Sequence, residues 1–66
     1  MQKSEAIRRI HAVLTTVSTL HDDVESFMEE RGDEWQDSDR GQAWEETRNN
    51  LEEAKNYLEE ATSPLD

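Results

Sequence analysis

The chain of 66 residues contains no cysteine, one proline and two glycines. Without cysteine it has no disulfide bond and no thiolate chemistry, which suits a reducing compartment. No apolar run approaches the roughly 20 residues that span a bilayer, and residues 1–4 show no signal-peptide core. We therefore expect a cytoplasmic protein without a membrane partner.

Basic residues are also scarce: seven Lys and Arg stand against seventeen Asp and Glu, for a net charge of −10. Phosphate contacts need clustered Lys and Arg, so this balance argues against a chain that binds nucleic acid. The charge is uneven, because residues 1–20 sum to +2, residues 21–39 to −8 and residues 40–66 to −4. The acid is densest in the middle of the chain.

The first half of the chain carries apolar residues at alternating steps of three and four, which only an α-helix places on one face. The a and d positions of this heptad repeat form one seam: Ile7, Ile10, Leu14, Val17, His21, Val24 and Met28. Position g forms a second row: Ala6, Val13, Leu20 and Phe27. With Ser4 as N-cap and Gly32 as a left-handed stop, the pattern predicts a helix over about 4–31.

The second half repeats the pattern with fewer large residues. Its seam is Trp44, Thr47, Leu51, Ala54, Leu58 and Ala61, and its g row is Ala43, Asn50 and Tyr57. Ser38 or Asp39 should cap this helix, Gly41 weakens its first turn, and Pro64 marks its end. We predict a helix over about 39–61, a tight acidic turn over 32–38 and a frayed tail over 62–66.

Two helices joined by a short connection become antiparallel neighbours. The predicted fold is an all-α antiparallel hairpin in which the numbers of facing residues sum to about 71–73. One edge, at position e, is polar and able to stay in water, with Glu25 opposite Arg48 and Ser18 opposite Lys55.

The opposite edge, at position g, is apolar and has no partner within the hairpin. A chain this short often needs a partner to complete its core, and an exposed apolar patch commonly marks an interface. We expect a homodimer, a four-helix bundle with two-fold symmetry. Asn50 is either a buried amide that sets the register or a surface residue. The expected interface residues are Val13, Leu20, Phe27, Asn50 and Tyr57.

His21 lies on the seam and is followed by Asp22, Asp23 and Glu25. It is a candidate metal ligand or pH switch, but a polar core residue that specifies one layer of the bundle is the favoured interpretation. Asp22 and Asp23 fall at b and c, pointing away from the seam, so we expect no metal and no cofactor.

No catalytic constellation is present in the sequence. It has no glycine-rich phosphate loop and no cysteine nucleophile. Its paired carboxylates fall on faces that we expect to be exposed to solvent, where nothing adapts them to general acid or base catalysis. We expect a protein that is not an enzyme.

The second helix carries acidic doublets at positions b and c. They are Glu45, Glu46, Glu52, Glu53, Glu59 and Glu60. They form either a solvated, solubilising face or a mimic of the nucleic-acid backbone, such as an inhibitor encoded by a phage or mobile element that occupies a partner's basic surface. Trp35, in the acidic connection, either folds back on Phe27, Met28 or Trp44 or anchors a partner; folding back is favoured.

The length and the helix–turn–helix layout resemble those of the Rop family of plasmid RNA-binding regulators, which are four-helix dimers. The resemblance is one of architecture, since no motif matches residue for residue. It implies an RNA-binding surface, for which this chain offers Lys3, Arg8 and Arg9 at its open end. The leading hypothesis is a homodimeric acidic module that binds another protein of unknown identity.

Overall fold

The computed structural model describes residues 1–66 and is built of helices alone. Helix α1 spans Lys3–Glu29, the short α2 spans Asp33–Asp37 and α3 spans Asp39–Ala61, followed by a 3-10 helix over Ser63–Leu65. The body measures 50 × 16 × 14 Å. No helix combines the length and the apolar character that crossing a membrane requires.

The long helices α1 and α3 lie antiparallel, as predicted. The rings of Phe27 and Trp44 have centroids 4.9 Å apart, and His21 Nε2 lies 3.0 Å from Glu52 Oε2. The paired numbers in these two contacts sum to 71 and 73, which agrees with the expected register. The two all-helical arms therefore pack along their length in the predicted order.

The ends of α1 differ from the expectation. Ser4 lies inside the helix rather than capping it, and the N-cap residue Gln2 makes no side-chain cap. Gly32 does not stop the helix in a left-handed conformation, because its φ of −78° and ψ of 171° are extended and no residue has positive φ. Gly32 instead precedes α2, and Asp33 and Glu34 in the first turn of α2 favour the positive end of that helix.

The connection predicted as a tight turn over 32–38 therefore contains a short helix that is bonded to both long ones. Gln36 Nε2 donates to the main-chain oxygen of Met28 at 2.6 Å, near the end of α1. On the other side, the Ser38 hydroxyl donates to the main-chain oxygen of Trp35 at 2.5 Å and accepts from the Gly41 N–H at 3.1 Å. Ser38 is the N-cap of α3, which confirms one of the two predicted cap residues.

Gly41 has a different role from the expected one. It is buried, and a Cβ atom at this position would lie 2.0 Å from the main-chain oxygen of Trp35 and 2.8 Å from that of Gln36. The absence of a side chain is what lets the main chain of α2 lie against the first turn of α3.

The hydrophobic core is small and lies toward the turn. Val24 and Met28 are the buried hydrophobic residues, and no large side chain is fully buried. At the other end of the chain, residues 62–66, for which we expect a frayed tail, contain the 3-10 helix and a buried Thr62 whose hydroxyl donates to the Glu59 main-chain oxygen at 3.1 Å. Most of the other seam residues are only half-buried, and Thr47 and Ala61 are exposed.

Candidate interaction surfaces

The apolar row at position g is open to solvent over most of its length. Val13 is 51% exposed, Leu20 48% and Tyr57 71%, and Asn50 is exposed on the same edge. We call the edge formed by Val13, Leu20, Asn50 and Tyr57 the g face. Three of these four side chains are large and apolar or aromatic, so the g face is the main exposed apolar surface of the two long helices.

The polar edge at position e is the more covered of the two. This edge is less exposed to solvent than expected, because its four named residues are all half-buried: Ser18, Glu25, Arg48 and Lys55. Arg48 forms its ion pair with Glu45, at 3.9 Å within α3, rather than with Glu25 across the hairpin. The e edge is thus the more covered edge of the hairpin, and the g face is the more exposed one.

Phe27, expected at the interface without an intrachain partner, has partners within the chain. Its ring centroid lies 5.7 Å from that of Trp35 in an edge-to-face arrangement and 4.9 Å from that of Trp44. The guanidinium carbon of Arg31 lies 4.3 Å from the centre of the Phe27 ring, at cation–π distance. The expectation that Phe27 is unpartnered is therefore wrong, because α2 returns Trp35 to it. The same contact confirms that Trp35 folds back.

The acidic doublets of α3 are all on the surface. The six residues Glu45, Glu46, Glu52, Glu53, Glu59 and Glu60 are exposed. Successive doublets are seven residues apart, a rise of about 10.5 Å along a helix. Glu45 lies near Arg48, and Glu52 near His21. The α3 face therefore presents a regular row of carboxylates along an unbroken helix.

His21 links the two long helices through Glu52 and also contacts Asp22 on its own helix. Its side chain is largely buried, with Nδ1 3.3 Å from Asp22 Oδ1 and Nε2 3.0 Å from Glu52 Oε2. The heptad pattern places Glu52 at position b, away from the seam, and so did not predict this contact. The one available signal was that the residue numbers 21 and 52 sum to 73, within the range expected for facing residues. One potential ligand atom from each of His21, Asp22 and Glu25 lies within 4.8 Å of the others. Both ring nitrogens of His21 already face a carboxylate, which fits a structural link.

The basic side chains at the open end are exposed and few. Lys3, Arg8 and Arg9 all lie on the surface, and Arg9 is engaged by Glu5 at 2.6 Å. Lys3 and Arg8 are therefore the basic side chains at this end that make no ion pair.

The surface of the hairpin has open depressions rather than an enclosed cleft. One of them is lined by Ala43, Trp44 and Thr47, and another lies on the outer face of α1 beside Leu20. Comparisons of the chain with protein-family models, with curated proteins and with solved structures each gave no significant match.

Proposed function

We propose that this chain is a non-enzymatic acidic helical protein that acts as a homodimeric protein–protein interaction module. Two hairpins close into a four-helix bundle through their g faces, and the acidic outer surface of the bundle meets another protein. The observation that carries the proposal is the exposure of Val13, Leu20 and Tyr57 on one edge.

The area of the chain supports a second copy as the occupant of the g face. Its accessible surface is 5029 Å², whereas a compact protein of 7.7 kDa exposes about 4,300 Å². The excess of about 700 Å² is close to the roughly 800 Å² that each partner loses in an interface of standard size. The radius of gyration points the same way, since 15.3 Å exceeds the about 11 Å of a compact chain of this length. One further hairpin docked on the g face would bring both values closer to those of a compact protein.

The surface features support a binding role over catalysis. Small-molecule sites are concave and bury most of their ligand, whereas the depressions described above are open. The carboxylates of α3 stand on an exposed face and not inside an enclosed cleft that would hold a substrate against them.

Sedimentation equilibrium of the chain and of one variant tests the dimer. We expect a dimer for the natural chain and loss of the dimer for Leu20→Glu, because the change places a charge in a buried interface. Thr15→Glu is the matched control, since Thr15 is exposed at position b of α1, away from the g face, and the added charge is the same.

A stable, helical monomer of the natural chain contradicts the proposal. Equal loss of the dimer in both variants also contradicts it, because the effect then comes from net charge and not from the g face. Circular dichroism of each variant reports whether dissociation is accompanied by unfolding, which we expect for Leu20→Glu since the hairpin alone has a small core.

The regular carboxylate row on α3 favours one class of partner, a protein with a basic surface that normally holds nucleic acid. Complementary potential steers such an encounter and sets its specificity. In an affinity capture, we expect retained proteins to be released by double-stranded DNA. Release by salt but not by DNA at equal ionic strength counts against nucleic-acid mimicry and leaves the interaction module.

A matched pair of triple variants locates the binding surface. Glu46→Gln, Glu53→Gln and Glu60→Gln remove three charges from α3, and we expect them to weaken capture. Glu29→Gln, Glu30→Gln and Glu34→Gln remove the same charge near the turn. Equal weakening by both sets refutes a role for the α3 row, since net charge alone then explains the binding.

A further inference from the structure

We propose that the two hairpins dock with their turns at opposite ends of the bundle, so that the strongly acidic half of each chain lies beside the nearly neutral half of the other. This inference rests on the proposed homodimer and goes beyond it by assigning the direction of docking. It decides which surfaces the bundle presents at its ends.

Two symmetric arrangements are open to hairpins that meet through one face. A two-fold axis along the bundle keeps both turns at the same end and lays α1 over the partner's α3. A two-fold axis across the bundle puts the turns at opposite ends and lays α1 over the partner's α1. Both are closed, isologous dimers. The choice between them therefore depends on which charges and which apolar residues meet across the interface.

Charge favours the axis across the bundle. The turn half of the chain, residues 17–55, carries −8 on residues 17–39 and −1 on residues 40–55, giving −9. The open half carries +2 on residues 1–16 and −3 on residues 56–66, giving −1. With turns together, −9 stands beside −9. With turns opposed, −9 stands beside −1 at both ends, which lowers the repulsion because the two acidic halves are separated along the 50 Å body.

Ionic strength limits this effect and gives it a signature. Charges on exposed side chains are screened over about 8 Å at physiological salt. The preference for opposed turns is therefore strongest in dilute buffer, where repulsion between the acidic halves extends furthest.

The apolar residues of the g face favour the same axis. Val13 and Leu20 stand on either side of Thr16, at the middle of α1. An axis across the bundle at this height sets Val13 against the partner's Leu20, so both exposed apolar side chains are covered while the helices overlap along their full length. An axis along the bundle instead sets Leu20 against the partner's Asn50. The amide of Asn50 would then lose its hydrogen bonds to water and gain none from Leu20, which is unfavourable.

Pulsed electron–electron double resonance measures the distance between two spin labels, and this distance distinguishes the two arrangements. The chain has no cysteine, so a single introduced cysteine is labelled without background. Gly32→Cys places a label at the turn, where the residue is exposed and an added Cβ meets nothing within 4 Å. For opposed turns we expect a label separation approaching the 50 Å length of the body, and for adjacent turns one comparable to its 16 Å width.

A label at the middle of α1 is the control for dimerisation. Thr16→Cys lies near the two-fold axis in either arrangement, so a dimer gives a short separation regardless of its direction. A short separation for Thr16→Cys together with a short one for Gly32→Cys overturns the opposed arrangement and leaves the dimer intact.

Sedimentation of the same labelled samples separates failure of the inference from failure of the dimer. Absence of any interchain separation at both positions, with monomers in sedimentation, refutes the dimer itself. A mixture of long and short Gly32→Cys separations that does not shift toward the long one in dilute buffer also overturns the inference, since charge then does not select the direction.

Discussion

Replacing Gly41 by alanine is the most informative single change in the hairpin. Helix propensity alone predicts a gain of about 1 kcal/mol, because alanine is the best helix former and glycine among the worst. The structure predicts the opposite sign. The new Cβ would lie 2.0 Å from the main-chain oxygen of Trp35 and 2.8 Å from that of Gln36. Neither atom belongs to a flexible side chain, so α2 as a whole has to move away from α3.

The size of the effect follows from these two opposing contributions. Overpacking a well-filled interior costs about 1–3 kcal/mol, and the upper end applies here because main-chain atoms must shift. Subtracting the propensity gain of about 1 kcal/mol leaves a loss of about 2 kcal/mol. For a chain of this size each kcal/mol shifts the midpoint of thermal unfolding by about 4–8 °C. We expect Gly41→Ala to melt about 8–16 °C below the natural chain.

The assay is thermal unfolding followed by circular dichroism at one fixed protein concentration, since the stability of an oligomer depends on concentration. Gly32→Ala is the matched control, because an added Cβ there meets nothing within 4 Å and the backbone is extended. We expect this control to melt within a few degrees of the natural chain. An unchanged or raised melting temperature for Gly41→Ala refutes the reasoning, because the close packing of α2 on α3 then does not exist in solution.

Three further changes test other parts of the hairpin. Ser38→Ala removes a hydroxyl that is hydrogen-bonded to both Gly41 and Trp35. We expect urea unfolding to show a loss of about 1–2 kcal/mol in the free energy of unfolding. Ser38→Thr keeps the hydroxyl and should recover part of this loss. Gln36→Ala removes the 2.6 Å bond to the Met28 main-chain oxygen; we expect a loss of about 1 kcal/mol together with a red shift of tryptophan fluorescence, and no shift would mean that Trp35 stays packed without this bond. Because the net charge is −10, raising sodium chloride from dilute to moderate concentration should raise the melting temperature by screening repulsion; a flat or falling trend contradicts repulsion as the main surface effect.

The positions of the long helices could be predicted because their signals are local. The three-and-four spacing of apolar residues predicts α1 and α3 without knowledge of any distant contact. The bounds of α3 match the prediction of 39–61, since Ser38 directly precedes the periodic segment and caps it.

The connection between the helices could be predicted only in part. A glycine after a long helix most often adopts a left-handed conformation, and this expectation failed for Gly32. The acidic pair Asp33 and Glu34 was the available sign of a new helix start, because acids stabilise the positive end of a helix. The need for glycine at position 41 had no sequence signal, since it arises from the main chain of α2 rather than from any side chain.

The exposure of the candidate interface residues could also be predicted only in part. Val13, Leu20 and Tyr57 are exposed on the g edge, where the heptad positions put them. Phe27 shares that heptad position, yet it is covered by Trp35 because the short helix turns back across it. Heptad position describes the direction of a side chain from its own helix and carries no information about a third element that packs there.

The sequence by itself determined two long helices, their antiparallel order and the concentration of acid around the turn, because each depends on spacing and charge along the chain. Tertiary structure alone decided how far each helix is rotated about its axis. The apolar stripe is broad enough to contact two neighbours, so spacing permits more than one rotation. In the folded chain Trp35 packs on Phe27 and α2 lies against Gly41, while the e edge is the more covered one and Val13 and Leu20 stay in solvent.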